Sequence, residues 1–169
     1  KSNDEACKVI VEAIEAAGYK PGKDIAIALD VAASSFHNQG KYVFTKSGEG
    51  EKTSAEMLAY FQKWCKKYQI VSIEDPLNEH DWEGFTAMTK ALGDKIQIVG
   101  DDLYVTNTEF VAQGITKQAS NAVLIKLNQI GTVSETIATI QMCQKAGWNY
   151  IISHRSGETE DTFIADLAV

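Results

Sequence analysis

Ile70-Val-Ser-Ile-Glu-Asp-Pro76 and Ile96-Gln-Ile-Val-Gly-Asp101 are two short apolar runs, and each leads into carboxylates. Between them, residues 82–92 predict a helix. A strand, a helix and a second strand in this order form a unit whose two strands run parallel. This stretch therefore predicts an α/β fold, and the flanking sequence can be tested for further units of the same kind.

The alternation of strand and helix continues on both sides of this stretch. Five strands of a single parallel sheet are expected, and they fit either an open sheet or part of a (β/α)₈ barrel. The remaining strands are predicted at residues 25–30, 122–126 and 149–153, with an outlying strand at 42–45. Helices are predicted from a cap at Asn3 or Asp4 to Ala17, from a cap at Ser54, and at 107–114, 132–145 and 158–169.

The alternation of side chains along each strand favours the barrel. In the strand before Lys126, Val123 and Ile125 share one face, whereas Leu124 and Lys126 share the other. Each strand repeats this pattern, with a bulky apolar face for helices and a smaller face that ends in an ionisable group. A barrel gathers functional groups from many strand ends, whereas an open sheet uses one switch point. The same reasoning turns Val71 toward the helices and Ile70, Tyr150 and Ile152 away from them.

The inward groups at the strand ends are Asp30, Glu74, Asp101 and Lys126. Three carboxylates that converge without basic partners repel one another, and their hard oxygen atoms suit Mg²⁺. The alternative is that each is a surface carboxylate in a turn. The recurrence on successive strands favours the metal site, and the neighbouring Asp75 and Asp102 are assigned structural or supporting roles.

Lys126 lies in an otherwise apolar strand. Burial and a nearby Mg²⁺ would both lower the pKa of this lysine toward that of a usable general base. The alternative is a salt bridge between Lys126 and one of the carboxylates.

The last strand leads into Ser153-His-Arg-Ser-Gly-Glu-Thr-Glu-Asp161. Arg155 and Ser156 precede the predicted start of a helix, where a guanidinium, a hydroxyl and free backbone N–H groups suit a phosphate. His154 is expected on the inward face, where it can touch substrate; the alternative is a core histidine paired with a carboxylate.

Composition narrows the function. The net charge of −7 excludes a basic nucleic-acid surface as the main role, although bound metal ions would still allow a phosphorylated substrate. No apolar run is long enough for a membrane span, and no signal peptide begins the chain. Cys7, Cys65 and Cys143 lack zinc-ligand spacing and are expected to be reduced thiols, so the prediction is a cytoplasmic location.

Several motifs together resemble the enolase family, which dehydrates 2-phosphoglycerate to phosphoenolpyruvate. The matching runs are Ala28-Leu-Asp-Val-Ala-Ala-Ser34, Ser72-Ile-Glu-Asp-Pro76, Val99-Gly-Asp-Asp-Leu103, Leu124-Ile-Lys-Leu-Asn-Gln-Ile-Gly131 and Ser153–Asp161. They occur in order along nearly the whole chain, which makes the resemblance specific. It implies that residues 1–169 are part of a C-terminal catalytic barrel domain with about five of its eight strands.

The resemblance also implies the roles of the site residues. Asp30, Glu74 and Asp101 would hold Mg²⁺, and Lys126 would be the general base. Substrate would be bound by His154, Arg155 and Ser156, together with Lys126, Glu74 and Asp101. A general-acid glutamate in a Gly-Asp-Glu-Gly-Gly-Phe-Ala-Pro motif and a second lysine are expected outside residues 1–169, as is an N-terminal domain. By itself the chain is therefore expected to be inactive.

The resemblance further implies a symmetric homodimer or larger homo-oligomer. Surface roles as a plasminogen receptor, secretion, or membership of an RNA-degrading assembly are the non-catalytic alternatives. Two enzyme alternatives are a racemase or cycloisomerase of the same superfamily and a Schiff-base aldolase. The first lacks the Ser153–Asp161 run, and the second gives no reason for three carboxylates.

Overall fold

The computed structural model describes residues 2–157 and 159–169. The helices are α1 (Asn3–Ala16), α2 (Ser54–Tyr68), α3 (Trp82–Leu92), α4 (Thr108–Lys117), α5 (Leu127–Ile130), α6 (Val133–Ala146) and α7 (Phe163–Leu167), with a 3₁₀ turn at Ala33–Phe36. The strands are β1 (Ile27–Asp30), β2 (His37–Asn38), β3 (Lys41–Phe44), β4 (Gly50–Lys52), β5 (Ile70–Glu74), β6 (Gln97–Gly100), β7 (Ala122–Ile125) and β8 (Asn149–Ile152).

Five strands form one parallel sheet in the order β1-β5-β6-β7-β8. Each strand therefore joins the edge left by the previous one, with helices in between, and the order never reverses. This is the sequence of a β/α barrel, in which all carboxyl ends meet on one side. The prediction of a partial barrel with five strands is confirmed, and the strand ends that carry the candidate residues share one side of the sheet.

The side chains of β7 separate two apolar clusters. Val123 and Ile125 belong to the large cluster beneath the helices, whereas Leu124 belongs to a small cluster on the other face. The predicted alternation is confirmed for this strand. In β8 the prediction is wrong, because Tyr150 and Ile152 pack against the large cluster and Ile151 against the small one. Tyr150 pairs with Val123 in register, and paired residues of parallel strands share a face.

The alternation also fails at the start of β5. Ile70 is buried in the large cluster, whereas Val71 is 46% exposed, the reverse of the prediction. The register with β1 explains the difference, because Ile27 pairs with Ile70 while Ala28 pairs with Ser72. Val71 is therefore an extra residue at a β-bulge, and such a residue changes the face of everything that precedes it.

Helix α3 begins at Trp82 as predicted, whereas four other helices start one or two residues from their predicted positions. Ser2 caps α1, rather than Asn3 or Asp4, by accepting the N–H of Glu5. Thr53 caps α2, rather than Ser54, in a reciprocal pair with Glu56 that satisfies two N–H groups of the first turn. Helices α4 and α6 begin at residues 108 and 133, one residue after their predicted starts at 107 and 132.

Strands β2, β3 and β4 form a separate antiparallel sheet. Strand β3 confirms the outlying strand predicted at residues 42–45, whereas β2 and β4 were not predicted because they are only two and three residues long. The side chain of Tyr42 is fully buried and fastens this sheet to the main body. Among the described residues, no helix combines the length and the apolar character that a membrane span needs.

Candidate active site

A cavity of about 310 Å³ opens at the carboxyl ends of the parallel strands. Six of the seven predicted site residues line it, and the seventh, Asp101, contacts one of them. The lining residues are Asp30, Glu74, Leu124, Lys126, Ser153, His154, Arg155 and Ser156. A larger cavity of about 680 Å³ lies beside α1 and α2 and reaches the site only at Asp30. The walls of the larger cavity are mainly apolar and aromatic. The ionisable groups are therefore concentrated in the smaller cavity.

Asp30 and Glu74 are opposite each other at the ends of β1 and β5. Asp30 is exposed, and its Oδ1 accepts the backbone N–H of Ala32 at 3.1 Å. Burial raises the pKa of Glu74 to about 7, and the neighbouring negative charges of Asp30, Asp101 and Asp75 act in the same direction. The cavity therefore concentrates negative charge on oxygen atoms, as a binding site for a hard cation requires.

Asp101 is buried at the end of β6 and forms a short ion pair with the ammonium group of Lys126. Its second oxygen, Oδ1, accepts a hydrogen bond from Gln129 at 3.1 Å. The salt bridge predicted as the alternative role of Lys126 is therefore present. The ion pair places the nitrogen of Lys126, which lines the cavity, beside the carboxylate of Asp101.

A second acidic group involves Asp75. Oxygen atoms of Asp75, Asp101 and Asp102 all lie within 4.8 Å of one another, the only such convergence found within residues 2–157 and 159–169. Both oxygens of Asp75 accept backbone N–H groups, from Asp101 and from Asp102, at 2.9 Å each. Burial raises the pKa of Asp75 to about 7, and its effect outweighs that of the two backbone hydrogen bonds, which act in the opposite direction. Asp75 thus ties the end of β5 to the end of β6, the structural role predicted for it.

His154, Arg155 and Ser156 follow β8 at the rim of the cavity. The Nη1 of Arg155 donates to Asn128 Oδ1 at 3.3 Å, and His154 Nδ1 lies 3.1 Å from the carbonyl oxygen of Arg155. The predicted helix start next to these residues is wrong in the described part, because α7 begins only at Phe163; Glu158 lies outside the described residues. His154 reaches the cavity as a residue of the loop, since the inward face of β8 belongs to Ile151.

The whole chain, residues 1–169, matches the family described as "Enolase, C-terminal TIM barrel domain". The chain belongs to the enolase family. It is 65% identical over 169 residues to "Enolase 1" of Methylococcus capsulatus and 62% identical over 171 residues to "Enolase" of Desulfotalea psychrophila. Both alignments cover all of this chain and 40% of the relative, so the chain spans less than half the length of these curated enolases.

Two residues of this enolase-family site were not predicted. Thr106 is fully buried in the loop after β6, and Gln129 lies in α5, directly after the strand that carries Lys126. Gln129 belongs to the run Leu124–Gly131 on which the resemblance partly depended, but its residue type alone gives no role. Thr106 carried no signal, because the loop conformation that turns it toward Lys126 cannot be read from residue types.

Proposed function

We propose that the protein carrying this chain is an enolase, a lyase of glycolysis and gluconeogenesis. The reaction is the reversible, Mg²⁺-dependent dehydration of 2-phospho-D-glycerate to phosphoenolpyruvate. The observation that supports this function is the single cavity that brings together carboxylates, a half-buried lysine and a guanidinium. Removal of a proton from the carbon next to a carboxylate needs a base and a bound cation, and a phosphorylated substrate also needs a cationic group that binds its phosphate.

The residues that would hold Mg²⁺ are Asp30, Glu74 and Asp101. They offer oxygen atoms only. Burial, reinforced by the neighbouring negative charges, raises the pKa of Glu74, and a divalent cation would offset that negative charge. When bound, the cation stabilises the negative charge that develops on the substrate carboxylate during proton removal. Glu74 and Asp101, which lie beside Lys126, would also face the substrate.

Lys126 would take the proton from the carbon next to the substrate carboxylate. The side chain of Lys126 is 16% exposed, and its ammonium group pairs with Asp101, which stabilises the protonated lysine that this step produces. Arg155 and Ser156 would bind the phosphate group of the substrate, with Arg155 oriented by Asn128. His154 would line the same cavity.

The remaining parts of this proposal come from the family. Residues 1–169 would be part of the barrel domain, and a general-acid glutamate, a second lysine and an N-terminal domain would come from other segments of the protein. A symmetric homodimer or larger assembly is proposed on the same basis. A cytoplasmic location is supported by the three free cysteines, which suit a reducing compartment. Secretion, a surface role in plasminogen binding and membership of an RNA-degrading assembly are the second candidates, and the convergence of the site residues favours catalysis over them.

The test is turnover of 2-phosphoglycerate by the full-length protein, followed by the ultraviolet absorbance of phosphoenolpyruvate with and without Mg²⁺. We expect Mg²⁺-dependent turnover that is lost in Lys126→Met and retained in Lys66→Met, a lysine of α2 outside the site. Exchange of the substrate α-proton with deuterated solvent separates the proton step from loss of hydroxide, and Lys126→Met should abolish it. Turnover by Lys126→Met at the parent rate would refute the assignment of the base.

A further inference from the structure

Lys126 and three neighbouring residues form a closed ring of hydrogen bonds. The backbone N–H of Lys126 donates to Thr106 Oγ1 at 2.9 Å, and the hydroxyl of Thr106 donates to Gln129 Oε1 at 2.7 Å. Gln129 Nε2 donates to Asp101 Oδ1 at 3.1 Å, and Asp101 Oδ2 accepts from the side chain of Lys126. The ring therefore starts at the backbone of the lysine and returns to its ammonium group.

The direction of every hydrogen bond in this ring is determined by chemistry. A backbone N–H and an ammonium can only donate, and a carboxylate can only accept. The hydroxyl of Thr106 must therefore accept from Lys126 and use its own hydrogen toward Gln129. The amide of Gln129 must then turn its oxygen to Thr106 and its nitrogen to Asp101. Removal of the Thr106 hydroxyl would leave the Lys126 N–H without its acceptor, and removal of the Gln129 amide would leave Asp101 Oδ1 without its donor. Both losses would occur in a half-buried site.

We propose that Thr106 and Gln129 are positioning residues that hold Asp101 and Lys126 in fixed mutual geometry. The proposal rests on the proposed function, in which Asp101 is a metal ligand and Lys126 is the base. Because Gln129 occupies Oδ1 of Asp101, the other oxygen is directed to Lys126 and the cavity. Because Thr106 fixes the backbone of Lys126, the lysine is held at both of its ends.

The conformation of the loop that carries Thr106 supports this role. Val105 and Thr106 both have positive φ angles, 44° and 59°, in a region that β-branched residues rarely adopt. The strain is held in place by Thr139, whose hydroxyl donates to the carbonyl oxygen of Thr106 at 2.9 Å. Strained backbone of this kind persists where the surrounding contacts enforce it, and it collects at functional sites. Here it aims the Thr106 hydroxyl at the strand that ends in Lys126.

The test uses the full-length protein and the variants Thr106→Val, Thr106→Ser and Gln129→Met. Thr106→Val keeps the shape and loses the hydroxyl, whereas Thr106→Ser keeps the hydroxyl. Gln113→Met, an exposed glutamine on α4, is the matched control. Three quantities are measured: the dissociation constant for Mg²⁺ by calorimetry without substrate, kcat and KM for 2-phosphoglycerate, and the melting temperature.

We expect Thr106→Val and Gln129→Met each to weaken Mg²⁺ binding or lower kcat by roughly 10- to 100-fold, the usual effect of removing a partner of a metal ligand. KM should change less than kcat, Thr106→Ser should retain parental values, and the double variant should be little worse than either single one, because the ring is already open. Variants with a lower melting temperature but parental Mg²⁺ affinity and kcat would show a purely structural role and overturn the proposal.

The two proposals fail in different ways. If the parent protein binds Mg²⁺ but does not convert 2-phosphoglycerate, the proposed function is wrong, and the change in Mg²⁺ affinity of the variants still decides the role of the ring. If the parent neither binds Mg²⁺ nor turns over substrate, both proposals fall. An equal effect of Gln113→Met on Mg²⁺ affinity would also overturn the role of the ring.

Discussion

The hydroxyl of Tyr42 donates to the carboxylate of Asp81 at 3.2 Å, across 39 positions of sequence. The same hydroxyl accepts the backbone N–H of Asn78 at 2.8 Å. Asp81 also caps α3 by accepting the N–H of Gly84 and accepts the hydroxyl of Ser54 at the start of α2. The small antiparallel sheet, α2 and α3 are therefore joined at one half-buried point.

Removal of the Tyr42 hydroxyl is expected to weaken this junction. Burial, as the main cause, raises the pKa of Tyr42 to about 12, so the group is a neutral donor at any ordinary pH. Tyr42→Phe leaves the Asn78 N–H without its acceptor and should lower the free energy of unfolding by about 1–3 kcal/mol. Urea unfolding measures the change, with the half-exposed Tyr19→Phe as the control. An unchanged urea midpoint for Tyr42→Phe would contradict the junction.

Acid should release a second tertiary contact. Lys67 donates to both oxygens of Asp4, at 2.7 and 2.9 Å, and Tyr68 donates to Oδ1 at 2.7 Å. These hydrogen bonds, that of Lys67 first, lower the pKa of Asp4 below its ordinary value of 3.8. Because the folded pKa is the lower one, the stabilisation is complete above pH 3.8 and is lost as the pH falls through the folded value.

Asp4→Asn should therefore be less stable than the parent near neutral pH, and the difference should shrink as the pH drops below the ordinary pKa of the carboxyl. Urea unfolding at several pH values measures it, and Asp94→Asn, at another exposed aspartate, is the matched control. A difference between Asp4→Asn and the parent that does not depend on pH would show that the ion pair is not responsible.

Any side chain at Gly114 is expected to destabilise the fold. Tyr104 is fully buried, and a Cβ at Gly114 would lie 2.4 Å from its hydroxyl oxygen, while one at Gly100 would lie 2.4 Å from its Cε2. Gly114→Ala should lower the free energy of unfolding by about 1–3 kcal/mol through overpacking. In the double variant with Tyr104→Leu the cost should be less than the sum of the two single costs. Gly157→Ala, whose Cβ would meet no atom within 4 Å, is the control. If the costs of Gly114→Ala and Tyr104→Leu simply add in the double variant, the proposed clash is absent.

The predictable part of the fold and the unpredictable part have different physical origins. The five strands and the strand-end positions of Asp30, Glu74, Asp101 and Lys126 follow from the period of two along a strand and from parallel pairing. The faces of Ile70 and Val71 could not be predicted in this way, because the residue types do not reveal that Val71 is inserted at a β-bulge. The face of β8 was equally ambiguous, since Tyr150, Ile151 and Ile152 are all apolar.

The candidate site shows the same division. Strand-end groups are predictable because the fold brings them together, whereas the ring through Thr106 and Gln129 depends on loop torsions. Thr106 adopts a positive φ of 59°, which a β-branched residue alone would argue against. The sequence therefore identifies the groups with charge, and the structure adds the neutral groups that orient them.

Arg155 is the residue for which the proposed function makes the sharpest kinetic prediction. Its Nη1 donates to Asn128, which holds the guanidinium at the rim of the cavity that also contains Lys126 and Ser156. A guanidinium can bind two phosphate oxygens at once, whereas an ammonium acts as a point charge. Arg155→Gln should therefore lower kcat/KM for 2-phosphoglycerate by roughly 10- to 100-fold, the equivalent of about one hydrogen bond to a charged group.

Arg155→Lys keeps the positive charge but lacks the paired N–H groups of a guanidinium, so it should lose less activity than Arg155→Gln and still fall below the parent. Ser156→Ala removes a neutral donor and should have the smallest effect of the three. Steady-state kinetics at saturating Mg²⁺ measure the changes, and competitive inhibition by inorganic phosphate measures the same contact without turnover. Lys66→Gln, outside the cavity, controls for the loss of one positive charge. If Arg155→Gln keeps both the parental kcat/KM and the parental inhibition by phosphate, other residues bind the phosphate group, and the role proposed for Arg155 is wrong.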